Sequence, residues 1–275
     1  MLFLFFPFLQ VNNLKAQKTL ILEVHPYLDK GEIIKRFTPL KNYLERETDL
    51  KIKLIVSRDY FSHIDSIGKN KVDIAFIGPE AYTKLTEIYG KPKIIGRIIT
   101  NGTPYFRGIF IAKKNSPIKH IECLKNKSVA FVSKESTIGF VVPFYKMMND
   151  GLFLNDFCCY KFLDSHINVA LSVLAGDFDA GVVKEEVYKK FKKFGLKEIA
   201  RTPKVYEHLF IARKSLPHKI FTKIKNAFFK LNSPRLLKIL KNIKESITGF
   251  GFAKDSDYDS LRIINRFIRR SLANR

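Results

Sequence analysis

The chain has 275 residues, 46% of them apolar and 13% aromatic, with 49 Lys+Arg against 26 Asp+Glu. This composition excludes a disordered polyelectrolyte and gives enough length for one or two packed domains. The formal charge of +23 makes an anion the expected partner, without choosing among nucleic acid, a membrane surface and a small acidic ligand.

The chain opens with MLFLFFPFLQV. That apolar run falls short of the roughly 20 residues a bilayer-spanning helix needs. It reads as the core of an export signal over residues 1–17, with a cleavage point after Ala16. A buried N-terminal strand or helix is the alternative. With the signal removed, a soluble periplasmic or otherwise exported protein is expected.

From Thr19 onward, apolar runs alternate with amphipathic stretches. Residues 19–24 read as a buried strand, and 31–48 as a helix with Ile33, Ile34, Phe37, Leu40 and Leu44 on one face. Residues 51–56 and 72–77 read as further strands, with a short helix over 60–68 between them. This order predicts a mostly parallel sheet covered by helices.

Residues 60–85 lie over residues 166–191 without a gap, at an offset of 106. Asp73 then falls on Asp179, Glu80 on Glu186, Tyr82 on Tyr188 and Lys84 on Lys190. Two similar α/β lobes are the simplest reading. GIFIAKKNSP at 108–117 and LFIARKSLP at 209–217 also resemble each other and read as two strands crossing between lobes. The expected division is residues 18–108 plus 208–275 for the first lobe and 109–207 for the second. A hinged cleft between them is where a ligand would bind.

Donors for an anion are expected at strand-to-helix turns, where free N–H groups and the helix dipole point outward. Four turns qualify. In SKESTIG at 133–139, Ser136 and Thr137 offer hydroxyls beside a helix start, although an ordinary N-cap has the same sequence. In DSH at 164–166, His166 falls opposite Tyr60 in the internal alignment. Gly78-Pro79-Glu80 ends a buried strand, and Gly102-Thr103-Pro104-Tyr105 precedes the first crossover.

No phosphate loop, dinucleotide fingerprint or nucleophile elbow is present in the sequence. The cysteines, Cys123, Cys158 and Cys159, form no disulfide framework, and no metal-ligand spacing appears. No catalytic constellation, metal or cofactor is predicted. Nucleic acid is not the expected partner, because no recognisable nucleic-acid motif accompanies the charge. The excess charge concentrates in residues 208–275, which carry 16 basic and four acidic side chains. Ile220, Phe221, Ile224, Phe228 and Leu231 recur there at helical spacing, so these lysines are expected on the solvated face of core-packed helices.

Five segments carry a resemblance: RDYFSHIDSIGKNKVDIAFIGPEAY (58–82), GTPYFRGIFIAKKNSPI (102–118), LKNKSVAFVSKESTIGFVVP (124–143), DSHINVALSVLAGDFDAGVV (164–183) and AKDSDYDSLRIINRF (253–267). Together, in this order, they resemble the periplasmic solute-binding proteins of phosphonate- and phosphate-type ABC transporters. The resemblance implies a type II periplasmic-binding-protein fold, with two lobes, two sheets and two hinge strands. It implies a non-enzymatic, monomeric protein that closes on a phosphonate, phosphate or phosphite and delivers it to a membrane permease with its ATPase. Carried over by motif, Tyr60, Tyr105, Ser136, Thr137 and His166 are the expected ligand contacts, with Gly78 beside them. The family usually has a serine where this chain has Ile138, which removes one hydroxyl. Relatives that bind aminoalkylphosphonates pair the ammonium with acidic groups, for which Glu80, Glu186 and Glu207 are the candidates. A ligand-sensing protein of the same fold, or a binder of another oxyanion such as a sulfonate, is the alternative.

Overall fold

The computed structural model describes residues 19–273; the expected export signal at 1–17 lies outside the described residues. None of the described helices is long and apolar enough to cross a membrane.

The first lobe opens with β1 (Leu20–Val24), α1 (Lys30–Thr48), β2 (Ile52–Val56), α2 (Tyr60–Gly68), β3 (Ile74–Ile77), α3 (Pro79–Tyr89) and β4 (Lys93–Thr100). Asp29 caps α1 by accepting from the N–H groups of Gly31 and Glu32. Apolar residues at helical spacing in α1, including Ile33, Phe37, Leu40 and Leu44, then bury against the sheet. The chain next forms β5 (Tyr105–Phe106) and enters the second lobe with β6 (Gly108–Lys113), β7 (Ser128–Phe131), α4 (Val142–Asn149), β8 (Cys159–Phe162), α5 (His166–Ala175), β9 (Ala180–Lys184), α6 (Glu185–Phe191) and β10 (Leu196–Arg201). It returns through β11 (Val205–Tyr206) and β12 (Leu209–Ala212), and ends with α7 (His218–Lys230), α8 (Pro234–Ile243), β13 (Ile247–Gly251) and α9 (Asp259–Ala273).

The six-stranded sheet has the order β13-β4-β12-β3-β1-β2, and the five-stranded sheet β10-β6-β9-β7-β8. Without the edge strand β13, the first reads β2-β1-β3-β12-β4, the same arrangement as β8-β7-β9-β6-β10 in the second. The repeat is visible in detail: α2, β3 and α3 begin at residues 60, 74 and 79, and α5, β9 and α6 at 166, 180 and 185. Asp73 and Asp179 do one job in both copies. Each accepts a backbone N–H from the neighbouring parallel strand, from Ile21 in the first lobe and Ser128 in the second, both at 2.9 Å.

Two expectations need adjustment. The sheets are mixed rather than mostly parallel, because β12, β4 and β13 in one and β6 and β10 in the other pair antiparallel. The apolar runs at 108–113 and 209–212 are buried inside the sheets, since such runs must cover both faces. The passage between lobes falls just before each of them, at the short antiparallel pair β5–β11.

Helix α9 also does more than return to the first lobe. Leu261 and Ile264 pack with Val141 and Val142 of the second lobe, while Tyr82 of α3 donates to Asp255 just before α9. Helices α7 and α8 carry Lys223, Lys230 and Lys238 exposed over a buried Ile224, Phe228 and Leu231, as the spacing predicted.

Candidate functional site

Between the sheets lies a small cavity, about 10 Å³, to which the starts of α2, α3 and α5 contribute. Tyr60, Gly78, Ser136, Thr137 and His166 all line it. Asp59 and Ser165 cap α2 and α5 on the N–H groups of Ser62 and Asn168, which fixes Tyr60 and His166 at equivalent helix starts. Below Tyr60, the buried Glu23 carboxylate accepts from Ser57, Ser66 and His63 Nδ1, tying α2 to β1.

The turn before α4 is built from Thr137 to Val141, with Ser136 Oγ accepting from the Gly139 N–H at 3.0 Å. Gly139 is required there: a Cβ would stand 2.4 Å from that of Val132 and 2.6 Å from Ser136 Oγ. Gly139→Ala is therefore expected to cost about 1–3 kcal/mol, read as a lower urea midpoint; an unchanged midpoint would show that the turn is not tightly packed. Ile138 is a packing residue as well as a lining one, joining Val205 and Leu261 and closing on Gly108.

Three donors are set up by one device. A hydroxyl has a single proton, and a neutral imidazole one N–H and one lone pair. Ser136 Oγ spends a lone pair on Gly139 N–H. Thr137 Oγ1 spends one on Glu80 N–H at 3.0 Å, and His166 Nδ1 spends its lone pair on Lys184 N–H at 3.2 Å. Their hydrogens are thereby left for the cavity: two O–H groups and His166 Nε2–H. Burial first, then the Lys184 charge, holds the His166 imidazole well below its ordinary pKa, which keeps this tautomer neutral. The Thr137–Glu80 bond also crosses the cleft, as does an ion pair of Lys84 with Glu135 at 3.9 Å.

The structure adds residues that sequence reasoning missed: Lys184, His25, His208, Phe106 and Glu135. Lys184 ends β9, and its ammonium lies over the Tyr27 ring at 5.0 Å with no ion pair or hydrogen bond of its own among the described residues. Burial, reinforced by Lys244, pushes it down to about 8. The internal repeat held the signal, since an offset of 106 sets Lys184 opposite Gly78.

Tyr105 is not among the lining residues. Its hydroxyl donates to Tyr206 at 3.1 Å in the β5–β11 pair, and the rings lie 4.5 Å apart. Successive strand residues face opposite sides, so Phe106 takes the cavity instead. The carboxylates are also placed. Glu80 contributes only its backbone; its side chain accepts from Asn265 at 2.8 Å, and burial raises its pKa. Glu207 and Glu186 line a larger adjoining cavity of about 350 Å³, together with Tyr27, Phe76 and Ile98. Lys244 binds both of them, at 3.3 Å and 3.4 Å.

Residues 22–258 match the family described as "ABC transporter, phosphonate, periplasmic substrate-binding protein". The chain belongs to this family. Its role is that of a binding component working with a permease and ATPase, and it is not an enzyme. It is 24% identical over 228 residues to the phosphate-import protein PhnD of Mycolicibacterium smegmatis, covering 77% of this chain and 71% of that protein. It is also 24% identical over 274 residues, 91% of this chain and 90% of the other, to the probable ABC transporter phosphite binding protein PhnD1 of Prochlorococcus marinus. The structure of PhnD1 with methylphosphonate superposes with a TM-score of 0.83, covering 92% of this chain and 99% of that one at 21% identity. The aliphatic sulphonate binding protein SsuA of Escherichia coli is more distant, with a TM-score of 0.62 at 14% identity, covering 93% of each chain.

Proposed function

We propose that the small cavity binds the oxyanion head of a phosphonate, phosphate or phosphite, and that the larger cavity receives any organic substituent. The observation that carries this is the convergence of Ser136, Thr137, His166 and Lys184, each with a hydrogen or charge left over, on one enclosed volume. Charge-assisted hydrogen bonds from such groups are the strong ones. The relatives named for phosphate and phosphite support the same class of ligand.

An ammonium on the substituent is not favoured. Glu80 faces away, Glu186 and Glu207 are already bound to Lys244, and Glu135 faces Lys84, so a ligand cation would meet Lys184 and Lys244 with Glu245 as the one unpaired carboxylate among the described residues of the larger cavity. This reading sets aside the aminoalkylphosphonates that the three glutamates had suggested. Opening and closing is assigned to lobes of residues 18–108 with 208–275 and of 109–207, bent at β5–β11, in an exported monomer.

A thermal-shift panel tests the reading. At 100 times Kd a ligand adds about 2.7 kcal/mol of stability. That is roughly 5–10 °C for a chain of this size. Methylphosphonate, phosphate or phosphite is expected to give such a shift, and aminoethylphosphonate one indicating at least tenfold weaker binding. Ser136→Ala and His166→Ala each lose about 1.5–3 kcal/mol of binding, or roughly 10–100-fold, without unfolding the ligand-free protein. No shift with any oxyanion would sink the reading, and aminoethylphosphonate as the best ligand would sink its second half.

A further inference from the structure

Two imidazoles in the cavity have the opposite polarity from His166. His208 Nδ1 lies 3.0 Å from Glu207 Oε2, and His25 Nδ1 lies 3.1 Å from the Phe76 carbonyl. Carboxylate and carbonyl oxygens only accept here, so both Nδ1 atoms carry the hydrogen. Each neutral ring then keeps a lone pair on Nε2. That of His208 points at the Gly78 turn, 3.5 Å from where a Cβ on Gly78 would stand, and among the described residues the ring's one hydrogen bond is through Nδ1. The rings stack at 5.2 Å and both are more than nine-tenths buried.

An oxyanion with every oxygen deprotonated would therefore face an acceptor on this wall of the cavity. An oxyanion that retains one hydroxyl would face a partner. We propose that the site selects its ligand by that proton: the phosphorus oxyanion binds with one P–O–H hydrogen shared with Nε2 of His208, beside His25. This rests on the oxyanion reading of the cavity. Phosphate and phosphonate monoanions carry such a hydrogen near neutral pH, with a second ionisation at about 6 in a phosphate monoester. A sulfonate carries none, so the same wall rejects it.

The charged surroundings agree. His208 is faced by Glu207, by Lys184 at the end of β9, by Lys244 before β13 and by His25 just after β1; His25 is faced by Tyr27, by Tyr60 and His63 of α2, and by Lys184. Burial first, and then the lysines, outweigh Glu207 and hold His208 down at about 4. Burial first, and then His208, hold His25 well below its ordinary value. Across pH 5–8 both rings stay neutral in the empty site, and the proton has to arrive with the ligand or from solvent.

Calorimetric titration of methylphosphonate at pH 8, in two buffers of different ionisation enthalpy, counts that proton. About one proton taken up per ligand is expected, with affinity falling about tenfold per pH unit above the ligand's second ionisation. Lys184 titrates in the same range and direction, so the count is repeated in Lys184→Arg, which stays charged. Persistence of the uptake assigns it to the shared hydrogen, and its loss would overturn the proposal. Methanesulfonate is expected to bind at least about 100-fold more weakly than methylphosphonate at pH 7. His208→Gln, whose amide can donate, is expected to narrow that ratio at least tenfold. Equal affinities in the unmodified protein, or methylphosphonate binding with no proton uptake, would overturn this inference alone. Failure of every oxyanion to bind would overturn the cavity reading with it.

Discussion

Lys184→Met is expected to weaken oxyanion binding by at least about 100-fold, close to 3 kcal/mol, while leaving the ligand-free protein as stable as before or more so. The two effects have one cause. Removing an ammonium from water costs free energy unless a partner offsets it, and Lys184 has the face of Tyr27 and only the more distant attraction of Glu207 and Glu186. Its lowered pKa, about 8 against an ordinary 10.5, registers that cost. An anion in the cavity supplies the missing partner. Between pH 8 and 10.5 the unfolded chain binds more protons at this side chain than the folded one, so ligand-free stability from this group rises with pH. That rise should vanish in Lys184→Met. A variant that binds methylphosphonate as tightly as the unmodified protein would remove Lys184 from the site.

The second large effect is on stability. Glu207→Gln is expected to destabilise the protein by about 3 kcal/mol or more, because it leaves Lys244 without a buried partner. It also sets an amide among donors. Glu207 accepts from Thr100 at 3.1 Å, from Lys244 at 3.3 Å, and from the backbone N–H of His208 at 3.1 Å as well as its ring. The melting temperature should fall by roughly 6–12 °C. Burial opposes the Glu207 charge, but Lys244, the His208 bond and Lys184 outweigh it and hold its pKa far below the usual range. A lowered carboxylate stabilises the fold above the unfolded pKa of about 4.3 and loses that contribution as pH falls toward the folded value. The gap between the two proteins should therefore be full at pH 6 and shrink below pH 4. The double variant Glu207→Gln/Lys244→Met should recover most of the loss. A cost under 1 kcal/mol at pH 7 would show that the cluster is solvated rather than buried.

The legible part of this protein was its periodic part. Strands such as 72–77, the helix over 31–48 and the repeat at an offset of 106 depend on apolar spacing, which a single sequence displays. The repeat also located Tyr60 and His166, because both helix starts follow N-caps that recur in register. His25 and His208 lacked such a signal, and Lys184 had one only as the residue that the repeat sets opposite Gly78. Each is a single polar residue at the edge of an apolar run, and only the third dimension shows that these edges meet in one cavity. Composition misled in the same way: the charge excess was assigned to solvated helix faces, which fits Lys223, Lys230 and Lys238 but not Lys244, half-buried against Glu207. Tyr105, carried over by motif, lies beside the cavity rather than on it. A two-residue strand turns adjacent side chains to opposite faces, and it is Phe106 that lines the cavity.

The central claim is that one enclosed set of donors holds a phosphorus oxyanion. A crystal structure with methylphosphonate tests it most directly. The expected result is phosphorus in the small cavity, with oxygens within about 3 Å of Thr137 Oγ1, His166 Nε2 and Lys184 Nζ. Methylphosphonate bound elsewhere on the protein, with this cavity left to water, would contradict it.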